Sequence, residues 1–142
     1  MRQVKHLLET KGSAVYTIAP EAPVLDAIRL MAERGIGALL VMRGEVLAGI
    51  VSERDYARKV ILKGHSSRET PVVDIMTPAP TTVSPASTVD ECMRLCTELH
   101  VRHLPVVEGN RLVGIVSIGD LVKAVIDDQA TEIDHLQRYI AG

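Results

Sequence analysis

Two stretches of the chain place a serine and an aspartate three positions apart at the end of an apolar run: Gly49-Ile50-Val51-Ser52-Glu53-Arg54-Asp55 and Gly114-Ile115-Val116-Ser117-Ile118-Gly119-Asp120. A β-branched run of this kind suits a strand. Ser-x-x-Asp after it suits a helix start, with the serine oxygen accepting a backbone N–H and the acid reaching back to the cap. Capping alone accounts for one such stretch. The same place also gathers free N–H groups and a positive partial charge, the conditions that favour a phosphate. There a serine hydroxyl donates to a phosphate oxygen, and a carboxylate one turn inside accepts both hydrogen bonds of a ribose diol. A ligand would simply exchange the partners of both side chains.

The neighbours of the two stretches differ. In the second half Arg102 and His103 begin an apolar run, and alternation along a strand lets one face a cleft while the other turns away. Two solvated charges at a strand start are the plainer reading of the same pair. In the first half Gly37 and Ala38 stand at these positions, which leaves Arg54 or Arg43 for any contact with an anion. The histidines, 6, 65, 100, 103 and 135, are scattered, and no Ser-His-Asp order, HExxH pattern or glycine-rich phosphate loop is present. The chain therefore does not read as an enzyme. Cys92 and Cys96 fall on the apolar stripe Val89, Cys92, Met93, Cys96 and read as core residues, with no metal.

These residues are positioned by an internal repeat. From Thr17 to Asp55, fifteen of thirty-nine residues are identical to those 65 places further on, without a gap. One reading of local structure serves both copies. A short strand around Tyr16–Ile18 leads to a helix with Pro23 in its first turn, Val24, Ala27, Ile28 and Met31 on one face, and Gly35 at its end. GALLVM and EVLAGIVS then form a hairpin across Arg43-Gly44, and RHLPVV and RLVGIVS form one across Glu108-Gly109-Asn110. Each hairpin is followed by a helix, ERDYARKVILKG or IGDLVKAVIDD. The expected unit is β-α-β-β-α, used twice.

The expected boundaries are an N-terminal flank at 1–14, repeat 1 at 15–63, a linker at 64–80, repeat 2 at 81–127 and a C-terminal helix at 128–142. The linker holds Pro71, Pro78 and Pro80 and a possible capping box, Ser66-x-x-Glu69. The last segment has Ile133, Leu136 and Ile140 on one side of a short amphipathic helix, suited to packing on the module or on a second copy of the chain.

Composition narrows the partners. An aromatic share of 2%, without Trp or Phe, provides no stacking platform for single-stranded nucleic acid, and a formal charge of -2 provides no field for nucleic acid or anionic lipid. No stretch approaches the ~20 apolar residues that span a bilayer, and MRQVKHLLETKG holds too short an apolar run for a signal peptide. A cytoplasmic location is the expectation.

The doubled unit, with GIVSxxD closing each copy, LPVV in the second hairpin and DIMT ahead of it, resembles a tandem pair of cystathionine beta-synthase (CBS) domains, a Bateman module, over Val15 to about Asp127. The resemblance implies an α+β fold of two pseudo-symmetric β-α-β-β-α repeats packed through their sheets, flanked by short N- and C-terminal helices. It also implies a non-catalytic sensor of adenine nucleotides, with bound AMP, or NAD, ATP or ADP, that forms a homodimer and acts on a regulated partner. A purely structural dimerisation module without ligand is the alternative. One implied cleft combines Ser117 and Asp120 with Arg102 and His103 for phosphate, Thr17, Ile18 and Ala19 framing the adenine, and Ile36 and Ala38 as an apolar wall. The other uses Ser52, Arg54 and Asp55 with Thr82, Val83 and Ser84, and Val101 as wall. Lacking the basic pair, this second cleft departs from the phosphate-binding pattern.

Overall fold

The structure is a computed structural model and describes residues 2–141. It divides into two compact units. One comprises Ala14–Thr81 with Gly109–Val113, and the other Met1–Ser13, Thr82–Glu108 and Gly114–Gly142.

In the unit built on the first repeat, β1 (Thr17–Ile18) pairs parallel with β2 (Ala38–Arg43), and β2 pairs antiparallel with β3 (Val46–Ser52). β3 in turn pairs antiparallel with β4 (Thr77–Pro78), giving the order β1-β2-β3-β4. Between β1 and β2 lies α2 (Val24–Arg34), with Pro23 at its N-cap and Gly35 closing it in the left-handed conformation at φ 64°. The 3.6-residue spacing puts Val24, Ala27 and Met31 into one core with Leu39, Val41, Val51, Val60, Val72 and Ile75, with Ile28 packed against it. The hairpin turns at Gly44-Glu45, one residue later than expected, with Gly44 at φ 62°. Its register shifts between Val41 and Met42, which sets Ala48 as the extra residue of a bulge.

The helix after this hairpin departs from the expectation of one continuous element. α3 (Glu53–Tyr56) is a single α-helical turn that widens into a π-helix over Ala57–Ile61. The wider turn is held by Leu62 N–H donating to the Ala57 carbonyl at 3.1 Å, and it carries Val60 into the core. No helix starts at Ser66 either. Its carbonyl accepts from Glu69 and Thr70 in a turn, so Ser66-x-x-Glu69 is not a capping box.

In the other unit α4 (Val89–Leu99) opens on a capping box between Thr88 and Glu91, and buries Val89, Cys92 and Cys96. It ends on His100 at φ 54°, where the first copy has Gly35. β5 (His103–Glu108) and β6 (Arg111–Ser117) form a two-stranded sheet, of whose hairpin Gly109–Val113 are grouped with the first-repeat unit. Burial raises the Cys92 thiol to about 11, with Cys96 and Glu91 adding to the effect, as befits a packed side chain.

The structure differs from expectation at two further places. The leading strand of the second copy shrinks to a single parallel bridge, Val83 to Val106, fastened by Val83 N–H to the Pro105 carbonyl (3.0 Å) and Val107 N–H to the Val83 carbonyl (2.8 Å). The C-terminal helix is not separate: α5 runs unbroken from Ile118 to Ala141, because Asp127-Asp128-Gln129-Ala130 contains neither glycine nor proline to stop it.

The N-terminal flank belongs to the repeat pattern after all. α1 (Val4–Lys11) docks in the second-repeat unit through Val4 N–H to the Ser87 carbonyl, Lys5 N–H to the Pro85 carbonyl and Val89 N–H to the Arg2 carbonyl. In the first-repeat unit the linker makes the same bonds: Val72 to Ala22, Val73 to Pro20 and Val24 to Thr70. The bridges Gln3–Thr88 and Pro23–Pro71 correspond as well. Residues 2–8 thus stand to the second copy as 70–76 stand to the first. The segment that precedes each repeat in sequence is built into the other unit.

A glycine on the closing strand of each hairpin accepts this segment. A Cβ on Gly49 would lie 2.7 Å from the Thr77 carbonyl oxygen and 2.6 Å from the Met76 sulfur, whereas one on Gly114 would meet only the Leu8 side chain, at 2.8 Å. Backbone pinned in a ladder cannot yield as a leucine tip can. Gly49→Ala is expected to cost about 1–3 kcal/mol and Gly114→Ala less than half of that in urea denaturation. Equal losses would contradict the packing described.

Candidate functional site

Both Ser-x-x-Asp stretches sit where a strand feeds a helix. At the end of β3, Ser52 N–H donates to Asp55 Oδ2 (2.9 Å), Ser52 Oγ lies 3.1 Å from that oxygen, and Asp55 N–H donates to Ser52 Oγ (3.2 Å). At the end of β6, Ser117 N–H donates to Asp120 Oδ2 (2.8 Å) and Asp120 N–H to Ser117 Oγ (3.1 Å). The capping role is therefore met in full at both mouths. Each is also tied to the strand before it, Glu53 N–H reaching the Gly37 carbonyl at 3.1 Å and Ile118 N–H the Arg102 carbonyl at 2.8 Å.

That last bond brings Arg102 and His103 to the mouth of Ser117 and Asp120, within one unit. Arg102 is exposed, and His103, the first residue of β5, is half-buried. In the first-repeat unit Ala38 lies opposite Ser52 across the β2–β3 ladder, so the mouth of Ser52 and Asp55 has Gly37 and Ala38 where the other has the basic pair. Thr17, Ile18, Ala19 and Ile36 belong to this unit too, Thr17 and Ala19 exposed, Ile18 and Ile36 half-buried. Thr82, Val83, Ser84 and Val101 belong to the second-repeat unit, with Ser84 N–H donating to Ser87 Oγ at 3.0 Å. Arg54 and Arg43 are both exposed, on α3 and at the end of β2.

The residues that sequence reasoning missed are two lysines. Lys59 Nζ lies 3.3 Å from Asp55 Oδ1 and donates to the Ile75 carbonyl at 2.9 Å. Lys11 Nζ lies 2.7 Å from Asp120 Oδ2 and donates to the Ile115 carbonyl at 2.9 Å. The i,i+4 spacing of Asp55 and Lys59 was a signal available in the sequence. No local pattern joins Lys11 to Asp120, 109 residues away.

Desolvation pushes the Asp120 carboxyl upward, but the hydrogen bonds from Lys11 and Ser117 and the Lys11 charge outweigh it, leaving the group below its ordinary value. Among the described residues, no group of three or more His, Cys, Asp or Glu side chains is placed to hold a metal ion, and no helix is long and apolar enough to cross a membrane.

The CBS domain family model matches residues 5–62 and again 72–127. The chain belongs to the CBS-domain family. Its fold is α+β, with two CBS repeats. A protein with CBS domains from Burkholderia ambifaria is 53% identical, with a TM-score of 0.86 over 89% of this chain and 96% of that one. The mitochondrial CBS domain-containing protein CBSX3 of Arabidopsis thaliana is 44% identical across 84% of this chain, which spans 60% of that protein's length. CBSX2, solved in complex with AMP, is 25% identical, with a TM-score of 0.74 over 91% of this chain and 99% of that one. A hexameric CBS-CP12 protein from cyanobacteria is 33% identical, with a TM-score of 0.78 over 86% of this chain and 70% of its own.

A carboxylate whose folded pKa lies below its unfolded one contributes stability that is complete above the unfolded value, near pH 4, and disappears as pH falls through the folded value. The stability difference between the wild type and Asp120→Asn is therefore expected to hold constant from pH 7 to about 5 and to shrink below about pH 4. Urea titrations across this range measure it. A difference independent of pH would contradict the described environment of Asp120.

Proposed function

We propose that the chain is a regulatory module that binds an adenine nucleotide, AMP foremost, at its Ser-x-x-Asp mouths and passes the occupancy on by changing the packing of a homodimer or of a regulated partner. The observation that carries this reading is the mouth at the end of β6, where a hydroxyl, a carboxylate and a helix N-terminus stand together with Arg102 and His103. Asp120 holds the ribose diol, Ser117 and the first turn of α5 meet a phosphate oxygen, and the basic pair balances phosphate charge. Support from a relative comes from CBSX2, which was solved with AMP.

At the other mouth Ser52, Arg54 and Asp55 provide the same hydroxyl and carboxylate beside Gly37 and Ala38, chemistry better matched to a nucleoside-like or larger ligand such as NAD. A sensor of this kind needs no nucleophile. Its work is a difference in affinity between two packings, of order 1–3 kcal/mol.

The competing reading, a structural dimerisation module, rests on the capping boxes being complete without a ligand. Thermal denaturation with AMP, ADP, ATP, NAD, NADH and S-adenosylmethionine separates the two. A ligand at a hundredfold excess over its dissociation constant is expected to add about 2.7 kcal/mol of stability. Asp120→Ala is expected to abolish the AMP shift while Asp55→Ala retains most of it. Flat melting curves with every purine metabolite, from well-folded protein, would leave the dimerisation module.

A further inference from the structure

We propose that Lys11 is the resident competitor at the β6 mouth: its ammonium holds the Asp120 oxygen that a ribose diol needs, so ligand entry releases Lys11 and loosens the last turn of α1. The inference rests on the reading that this mouth binds a nucleotide.

A carboxylate oxygen has two lone pairs in its plane, and both on Asp120 Oδ2 are in use, by Ser117 N–H at 2.8 Å and Lys11 Nζ at 2.7 Å. A diol that binds in bidentate fashion takes one lone pair on each oxygen, so one of the two donors must leave. The Ser117 N–H is fixed in the backbone of the strand end. Lys11 is a flexible side chain about a third exposed, at 32%, and is free to swing outward. It approaches from α1, whereas Arg102 and His103, which meet the phosphate charge, stand at the start of β5. Lys11 therefore competes with the sugar rather than assisting the phosphate.

The arrangement is particular to this mouth. At the other one, Lys59 binds Asp55 through Oδ1, at the longer distance of 3.3 Å, and comes from the helical run that carries Asp55 itself, with its second bond to the Ile75 carbonyl at 2.9 Å. Lys11 is the final residue of α1, and it also satisfies the Ile115 carbonyl. The equivalent residue of the first copy, Ile50, has β4 beside it, paired through Thr77. One ammonium thus fills the place of a strand on β6 and neutralises the ligand-binding carboxylate. When the ligand takes Asp120, the end of α1 loses one of the two oxygens that anchor it.

Calorimetric titration of the full chain with AMP tests this, using Lys11→Met, which removes the head group, and Lys11→Gln, which keeps an N–H donor for the Ile115 carbonyl. Both variants are expected to bind AMP about two- to fivefold more tightly than the wild type, the scale of a partly exposed ion pair. In the Asp120→Ala background, where AMP binding is lost, neither Lys11 substitution is expected to restore it. In hydrogen exchange, AMP is expected to speed exchange at Lys11 and Gly12 in the wild type and to change nothing there in the variants. Equal or weaker AMP binding by both variants, with the wild type still binding, would overturn the competitor while leaving the sensor standing. Absence of AMP binding by wild type and variants alike would remove the sensor reading and the competitor with it.

Discussion

The reciprocal bonds between a strand-end serine and an aspartate three residues later organise each half of this protein. They finish a helix that has no other cap, fix the direction in which the chain leaves the hairpin, and set a carboxylate at a point of positive backbone potential. The aspartate at each mouth is already satisfied by its own cap and a lysine. On the proposed reading, stability and ligand recognition draw on the same atoms, and a ligand must offer at least what the cap and its lysine give up.

The two mouths diverge in a way their shared ancestry of sequence does not suggest. One has a glycine and an alanine on the facing strand and a lysine supplied from its own helix. The other has an arginine and a histidine there, and its lysine arrives from the far end of the chain. Identical capping chemistry is thus set in two electrostatic settings. Duplication preserved the residues that hold the backbone and left those around them to differ.

Much of this was legible in the residues themselves. Val24, Ala27 and Met31 gave α2 its buried face, Gly35 its end, and the repeated serine and aspartate their caps, because these features depend on local periodicity and turn chemistry. What escaped reading depends on distant contacts. The widening of the helix after Tyr56, within which Val60 is buried, has no marker in the residues around it. The likeness of residues 2–8 to 70–76 was hidden because it follows an offset of 68, not 65, and because Val4 and Val72 are the one identical pair among Val4–Leu8 and Val72–Met76, Leu7 with Ile75 and Leu8 with Met76 being alike in kind alone. Lys11 was invisible for the same reason: its partner is on the last helix.

That exchange of leading segments bears on how the chain is made. Residues 2–11 are synthesised well before Pro85, Ser87 and Asp120, which form their resting place. The first-repeat unit has nearly all its own strands early and can collapse during translation, while the amphipathic opening helix waits unsatisfied. Loops closed over such separations form late and slowly. The docking of α1 is therefore a late step of assembly, since its partner Asp120 follows Lys11 by 109 residues.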